Sequence, residues 1–115
     1  MEINVLGTIY KIEYNTVDED LLLETLAGYM DVTTKKIIIR NYTEEELDRP
    51  FNVKDLGYEK NKVIRHEIIH AFLNESGLNE NSNGCNSWAN NEEMIDWFAL
   101  QSPKIYKIYI QLGIL

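Results

Sequence analysis

The stretch that most constrains this chain is Val63-Ile64-Arg65-His66-Glu67-Ile68-Ile69-His70-Ala71-Phe72-Leu73, an apolar run that carries a His-Glu-x-x-His element. On an α-helix, residues four apart leave one face with Cβ atoms about 6 Å from each other, so His66 and His70 can share one metal ion. Glu67 lies roughly 100° round the helix from His66, near enough to reach a water on that ion and badly placed to be a ligand itself. Two imidazoles and a carboxylate on a helix otherwise built of Ile, Val, Leu and Phe need partners, because burying unpaired polar groups costs free energy. A bound metal supplies them. Both histidines of the chain sit in this motif, and the arrangement is that of zinc hydrolases, with two imidazole ligands and a carboxylate as general base.

A catalytic zinc usually keeps three protein ligands and leaves the fourth position to water. No histidine remains for the third place, and the longer His-Glu-x-x-His-x-x-Gly-x-x-His pattern would need Gly at Leu73 and His at Ser76. A carboxylate must therefore complete the set. Asn91-Glu92-Glu93-Met94-Ile95-Asp96 offers Glu92 and Asp96 at i and i+4 on one helix face. That pairing lets Glu92 bind the metal while Asp96 accepts the free ring N–H of a ligand histidine and fixes its tautomer. Glu93 ranks second, since Asn90 as N-cap would give it a separate role at N3 of a capping box. Glu80 ranks third. Glu75 follows His70 by five residues, about 140° away on the same helix.

These residues resemble those of a known group. His66-Glu67-Ile68-Ile69-His70 followed by Asn91-Glu92-x-x-x-Asp96 is similar to the thermolysin-type gluzincin pattern, where the Glu is the third zinc ligand and the Asp supports the first histidine. Closer in size is the ImmA/IrrE group of small metallopeptidases of phages and mobile elements, whose ligand helix has the form Glu-x-x-Ala-Asn/Asp-x-Phe-Ala. Here that helix reads Glu92-Glu93-Met94-Ile95-Asp96-Trp97-Phe98-Ala99. The chain departs from the group at Ile95, where Ala is preferred, and at Ile69, where Gly is common. The resemblance implies an α+β, minimal zincin-like domain with a small antiparallel sheet packed on the central helix and two C-terminal helices. It implies one zinc ion per chain and a peptide or protein substrate.

Composition narrows the setting. At 115 residues with 44% hydrophobic and 26% charged residues, the chain has the make-up of one soluble globular domain spanning residues 1–115. The N-terminal Met1-Glu2-Ile3-Asn4-Val5 has neither a basic n-region nor an apolar h-region, and no apolar run approaches the roughly 20 residues of a membrane span. A cytoplasmic protein is expected. The single Cys85 has no disulfide partner and reads as an incidental free thiol in a polar loop rather than a metal-proximal one. A net charge of −8 without a basic cluster argues against nucleic-acid binding.

Taken in order, Ile3 to Tyr14 reads as a hairpin turning at Gly7-Thr8, and Thr16 to Ala27 as a short helix with Asp18, Glu19 and Asp20 in its first turn. Gly28–Val32 and Lys36–Arg40 form a second hairpin, with Ile37-Ile38-Ile39 covered on both faces. Tyr42 to Pro50 is a polar connection. The motif helix starts between Asp55 and Asn61 and stops in a Schellman turn at Gly77, with Leu78 packed on Leu73. Asn79 to Asn91 is a long polar loop pinned to the core by Trp88. A helix follows from Asn91 to Ser102, burying Met94, Ile95, Trp97, Phe98 and Ala99. A last helix begins at Ser102-Pro103, and its Tyr106 and Tyr109 pack on the core.

Two functions of different kind fit these features. In the first, zinc held by His66, His70 and Glu92 lowers the pKa of its water towards roughly 7 and polarises a peptide carbonyl, while Glu67 accepts the proton and passes it to the leaving amine. Lys36–Arg40 as an edge strand would hold the extended substrate, and one of seven tyrosines could serve the oxyanion. In the second, the metal stabilises a regulator that captures a partner protein without turnover. Glu67 separates the two, since only the peptidase needs it.

Overall fold

A computed structural model describes residues 1–50, 53–84 and 87–115, so Cys85 lies outside the described residues. Strands β1 (Glu2–Val5) and β2 (Thr8–Asn15) pair antiparallel. Their two-residue turn, Leu6-Gly7, has φ of 51° and 95°, the positive values that let a tight hairpin follow the right-handed twist of its strands. Asn4 Oδ1 accepts the Gly7 N–H at 2.7 Å and locks the turn.

The second hairpin joins β3 (Gly28–Asp31) to β4 (Lys36–Arg40). Asp31 holds its loop by accepting from the Thr33 N–H and from the hydroxyls of Thr33 and Thr34. The sheet order is β1-β2-β4-β3, with β2 and β4 parallel. The fold class is α+β, and the sheet is mixed rather than antiparallel. Each hairpin follows from local turn chemistry, whereas the β2–β4 pairing unites segments more than twenty residues apart. The apolar triplet explains it: Ile37, Ile38 and Ile39 are 0%, 4% and 1% exposed, and a strand buried on both faces belongs in the middle of a sheet. Lys36–Arg40 is consequently an interior strand. The edges are β1 and β3.

Between the hairpins, Asp20 caps a single 3-10 turn, Leu21–Glu24, in place of the expected longer helix. Only Leu23 of its leucines is buried; Leu21, Leu22 and Leu26 are exposed. The polar connection folds into a one-turn helix, α1 (Glu44–Leu47), with a Thr43–Glu46 capping box.

Helix α2 (Leu56–Glu75) starts at Asp55, whose carboxylate accepts the Tyr58 N–H. It lies across the sheet, and Val63 and Ala71 join Val5, Tyr10, Ile12, Ile37 and Ile39 in the main core. Its end turns at Gly77 with φ of 80°, but Asn79 rather than Leu78 donates to the Leu73 carbonyl. Leu78 stays exposed as a result.

A second cluster, Leu73, Ala89 and Ile95, joins α2 to α3 (Glu92–Leu112). The small Ala89 pins the preceding loop, while Trp88 is exposed. The expected pair of C-terminal helices is one helix running through Pro103. Ser102 does not cap a new helix because the turn before it already runs on, and proline needs only its own φ and a free carbonyl four residues back. That carbonyl, Ala99 O, accepts from Arg65 Nε of α2 at 2.6 Å. On α3 only Ile95 and Ala99 are buried; Trp97 and Phe98, between them on other faces of the helix, and Tyr106 and Tyr109 further on are exposed. No helix among the described residues is long and apolar enough to cross a membrane.

Candidate metal centre

The interior of α2, the N-terminus of α3 and one sheet edge build the site. On α2, His66 and His70 sit one turn apart with their Nε2 atoms 3.1 Å from each other. On α3 the cap is Asn91, whose side chain accepts the Met94 N–H at 2.8 Å, one residue later than expected from Asn90. That shift places Glu92 at the first helical position and leaves Glu93 without the capping role expected for it. Glu92 Oε2 lies 2.9 Å from His66 Nε2, and Oε1 lies 3.1 Å from His70 Nε2. Asp96, one turn further on, reaches the other side of the same ring, with Oδ1 2.8 Å from His66 Nδ1.

These separations allow a test of fit. Three ligand atoms on a tetrahedron with zinc bonds of 2.0–2.1 Å lie about 3.3 Å apart. The two imidazole nitrogens stand 3.1 Å apart, each has a different Glu92 oxygen at 2.9 or 3.1 Å, and one ligand atom from each of the three residues lies within 4.8 Å of the others, close enough to converge on one ion. Two imidazole nitrogens and a carboxylate oxygen are also a suitable donor set for zinc. His66, His70 and Glu92 are the one such group of three found among the described residues. Glu93 instead lines a surface recess with Trp88 and Trp97, and Glu80 is exposed outside the cluster. Glu75 accepts from Thr8, Tyr10 and Lys35 at the far end of α2.

Glu67 differs from the other acids of the site. It is 7% exposed, and no hydrogen bond to its carboxylate is found among the described residues. Burial pushes its carboxyl up to about 7, opposed by His66 and reinforced by the negative charges of Glu92 and Asp96. Burial likewise lowers the pKa of His70, against the pull of Glu92, which favours the neutral imidazole that a metal requires. Glu92 and Asp96 have side chains 64% and 61% exposed, so the centre opens to solvent from the α3 side.

The cavity over the cluster, about 360 Å³, is walled by His66, Glu67, His70 and Glu92 on one side and by Gly28, Tyr29 and Met30 of β3 on the other. A second recess shares Gly28, His66 and Glu67 with it and continues past Val63. A third, mostly apolar and again about 360 Å³, begins at Ala27, Glu59 and Val63. The first two lie between the edge strand β3 and α2, and the third extends beside the end of β4, α1 and the first turns of α2. Gly28 makes this approach possible, since a Cβ there would stand 2.8 Å from Val63 Cγ1 and 3.0 Å from Ile38 O.

Sequence reasoning missed two contributors. The role of β3 as the wall of the site follows from strand order, for which the sequence carries no local signal. Arg65 carries a faint one: Pro103 must leave the Ala99 carbonyl without a helical donor, and a cation one position before His66 can take it. No family model matches the chain, and neither the curated proteins nor the solved structures include a match.

Proposed function

We propose that this chain is a zinc-dependent metallopeptidase of gluzincin type on a zincin-like fold, acting on peptide bonds of a protein substrate. The observation that carries this reading is the convergence of His66, His70 and Glu92, with Asp96 behind His66 and the unpartnered Glu67 facing the same cavity. A zinc ion held there would polarise a carbonyl and acidify a water. Asp96 holds the His66 ring with Nδ1–H donated to it, leaving the Nε2 lone pair for the metal. Glu67, largely buried but facing the cavity and without a hydrogen-bond donor among the described residues, would be the proton acceptor, and its buried setting favours passing that proton on to a leaving amine. The edge strand β3, rather than β4, is the element whose free backbone groups would align an extended peptide over the cluster. Lone-cysteine composition suits a reducing, cytoplasmic setting.

One observation favours the second reading, a metal-stabilised binding protein without turnover. Tyr29 is the tyrosine that lines the cavity among the described residues, and its hydroxyl is committed to Asp20, so it is not free to serve an oxyanion. The test is metal content by elemental mass spectrometry, together with cleavage of a proteome-derived peptide library, for the wild type, Glu67→Gln, Glu92→Ala and Glu93→Ala. Expected are about one zinc per chain in all but Glu92→Ala, and cleavage lost in Glu67→Gln. No zinc after refilling and desalting refutes the site. Zinc with no cleavage by the wild type selects the binding protein.

A further inference from the structure

The chain has two tryptophans, and both stand at one place on the surface. Trp88 and Trp97 are 60% and 53% exposed and line a recess of about 460 Å³ together with Asn91, Glu93 and Met94. Tryptophan is highly buried on average, and it is enriched among the anchors of binding surfaces. The recess is built on fixed backbone. Glu93 and Trp97 are four apart on α3 and share a face. Asn91 caps that helix by accepting the Met94 N–H, and Met94 packs on the Leu73, Ala89 and Ile95 cluster. Trp88 begins a 3-10 turn, Trp88–Asn90, whose Ala89 is buried in the same cluster.

Glu93 decides what the recess can take. It is exposed, and among the described residues its carboxylate has neither a hydrogen bond nor an ion pair. An apolar occupant would strip water from that carboxylate and put nothing in its place, and an anion would be repelled. A cation suits both surfaces at once, since it pairs with Glu93 and is attracted to the faces of indole rings, the strongest of the aromatic side chains in this respect. Guanidinium combines the two best, being planar enough to stack on an indole while it donates to a carboxylate. The methylene stem of an arginine would lie against the apolar part of the lining, and the net charge of −8 favours the approach of a basic segment. Glu93 is about 100° round α3 from Glu92, so the recess neighbours the metal centre, yet it shares no residue with the cavity there.

We propose that the recess of Trp88, Glu93 and Trp97 binds an arginine side chain of the protein this chain engages, outside the segment that meets the metal centre. The proposal holds whether that protein is cut or only captured, and its test involves no cleavage. Because both tryptophans line the recess, intrinsic tryptophan fluorescence of the full chain reports on it directly. The titrants are a short arginine peptide, the same peptide with citrulline, which keeps the shape and loses the charge, and phosphatidylcholine vesicles, which offer a quaternary ammonium, all at fixed ionic strength. Expected is a saturable change with the arginine peptide and none with citrulline. Binding should weaken roughly 3–5-fold in Glu93→Gln and at least as much in Trp97→Leu, where Trp88 still reports, with helical circular dichroism and zinc content unchanged. No saturable change in the wild type overturns the proposal. So does an equal response in both variants, which would show general attraction to an acidic chain, or a response to the vesicles and not to the peptide, which would make the ligand a lipid headgroup.

Discussion

Replacing Arg65 with Met should destabilise the protein only while residue 103 is proline. Proline has no N–H, so the Ala99 carbonyl lacks the donor that any other residue four positions on would supply. Arg65 Nε fills that place at 2.6 Å. A hydrogen bond from a charged donor contributes about 1.5–3 kcal/mol, and the half-buried setting of Arg65 puts its loss near the lower end, about 1.5–2 kcal/mol. Met keeps much of the aliphatic stem, so little packing is lost with the charge. For a chain of this size the cost corresponds to roughly 5–10 °C in Tm. In the Pro103→Ala background, the new N–H closes the helical bond, and Arg65→Met should cost about 0.5 kcal/mol or less. The coupling of about 1–1.5 kcal/mol is read from urea unfolding of the four proteins by far-ultraviolet circular dichroism. Equal costs in both backgrounds would refute the reasoning, because Arg65 would then be acting elsewhere.

Three further outcomes are expected. Gly28→Ala forces a Cβ against Val63 Cγ1 and Ile38 O and should lower stability by about 1–3 kcal/mol in thermal unfolding, since neither backbone nor core can yield cheaply; an unchanged Tm would mean that α2 shifts freely over β3. Asp96→Asn should fold normally and weaken zinc about 10–100-fold in competition with a fluorescent chelator, as loss of a histidine's orienting carboxylate does; unchanged affinity would remove Asp96 from the site. Finally, the hydrogen bonds from Lys35, Tyr10 and Thr8 hold the Glu75 carboxyl down at about 2, against an ordinary value of 4.5. The unfolded chain thus binds the proton first as pH falls, so this stabilisation is complete above pH 4.5 and is lost on the way to about 2. Glu75→Gln should flatten Tm against pH across that window, and an equally steep profile in the variant would exclude Glu75 as the cause.

Much of the site is legible in the sequence because it rests on helical periodicity. His66 and His70, and likewise Glu92 and Asp96, are each one turn apart, so each pair shares a face wherever its helix lies. The limits appear where local signals compete. Ser102-Pro103 carries the marks of a helix start, yet the helix runs through it because Arg65, from a distant turn, satisfies the carbonyl that proline strands. Asn90 and Asn91 are equally good caps in isolation, and the choice of Asn91 makes Glu92 the first helical residue and removes Glu93 from the capping box. Trp88 offers more apolar surface than Ala89, but it is Ala89 that fits the space beside Leu73 and Ile95.

What the sequence alone determined, then, is what a single element can specify: two hairpins from turn chemistry and alternation, a capped motif helix, and two pairs of polar side chains, His66 with His70 and Glu92 with Asp96, each on one helix face. What only the tertiary structure decided is how those elements meet. The parallel pairing of β2 with β4 puts β3 at the edge beside His66, and α3 leans across α2 so that Glu92 reaches both imidazoles. The physical reason is range. Propensities, caps and turns act over three or four residues, whereas strand order and helix crossing are set by which apolar surfaces bury each other across the whole chain.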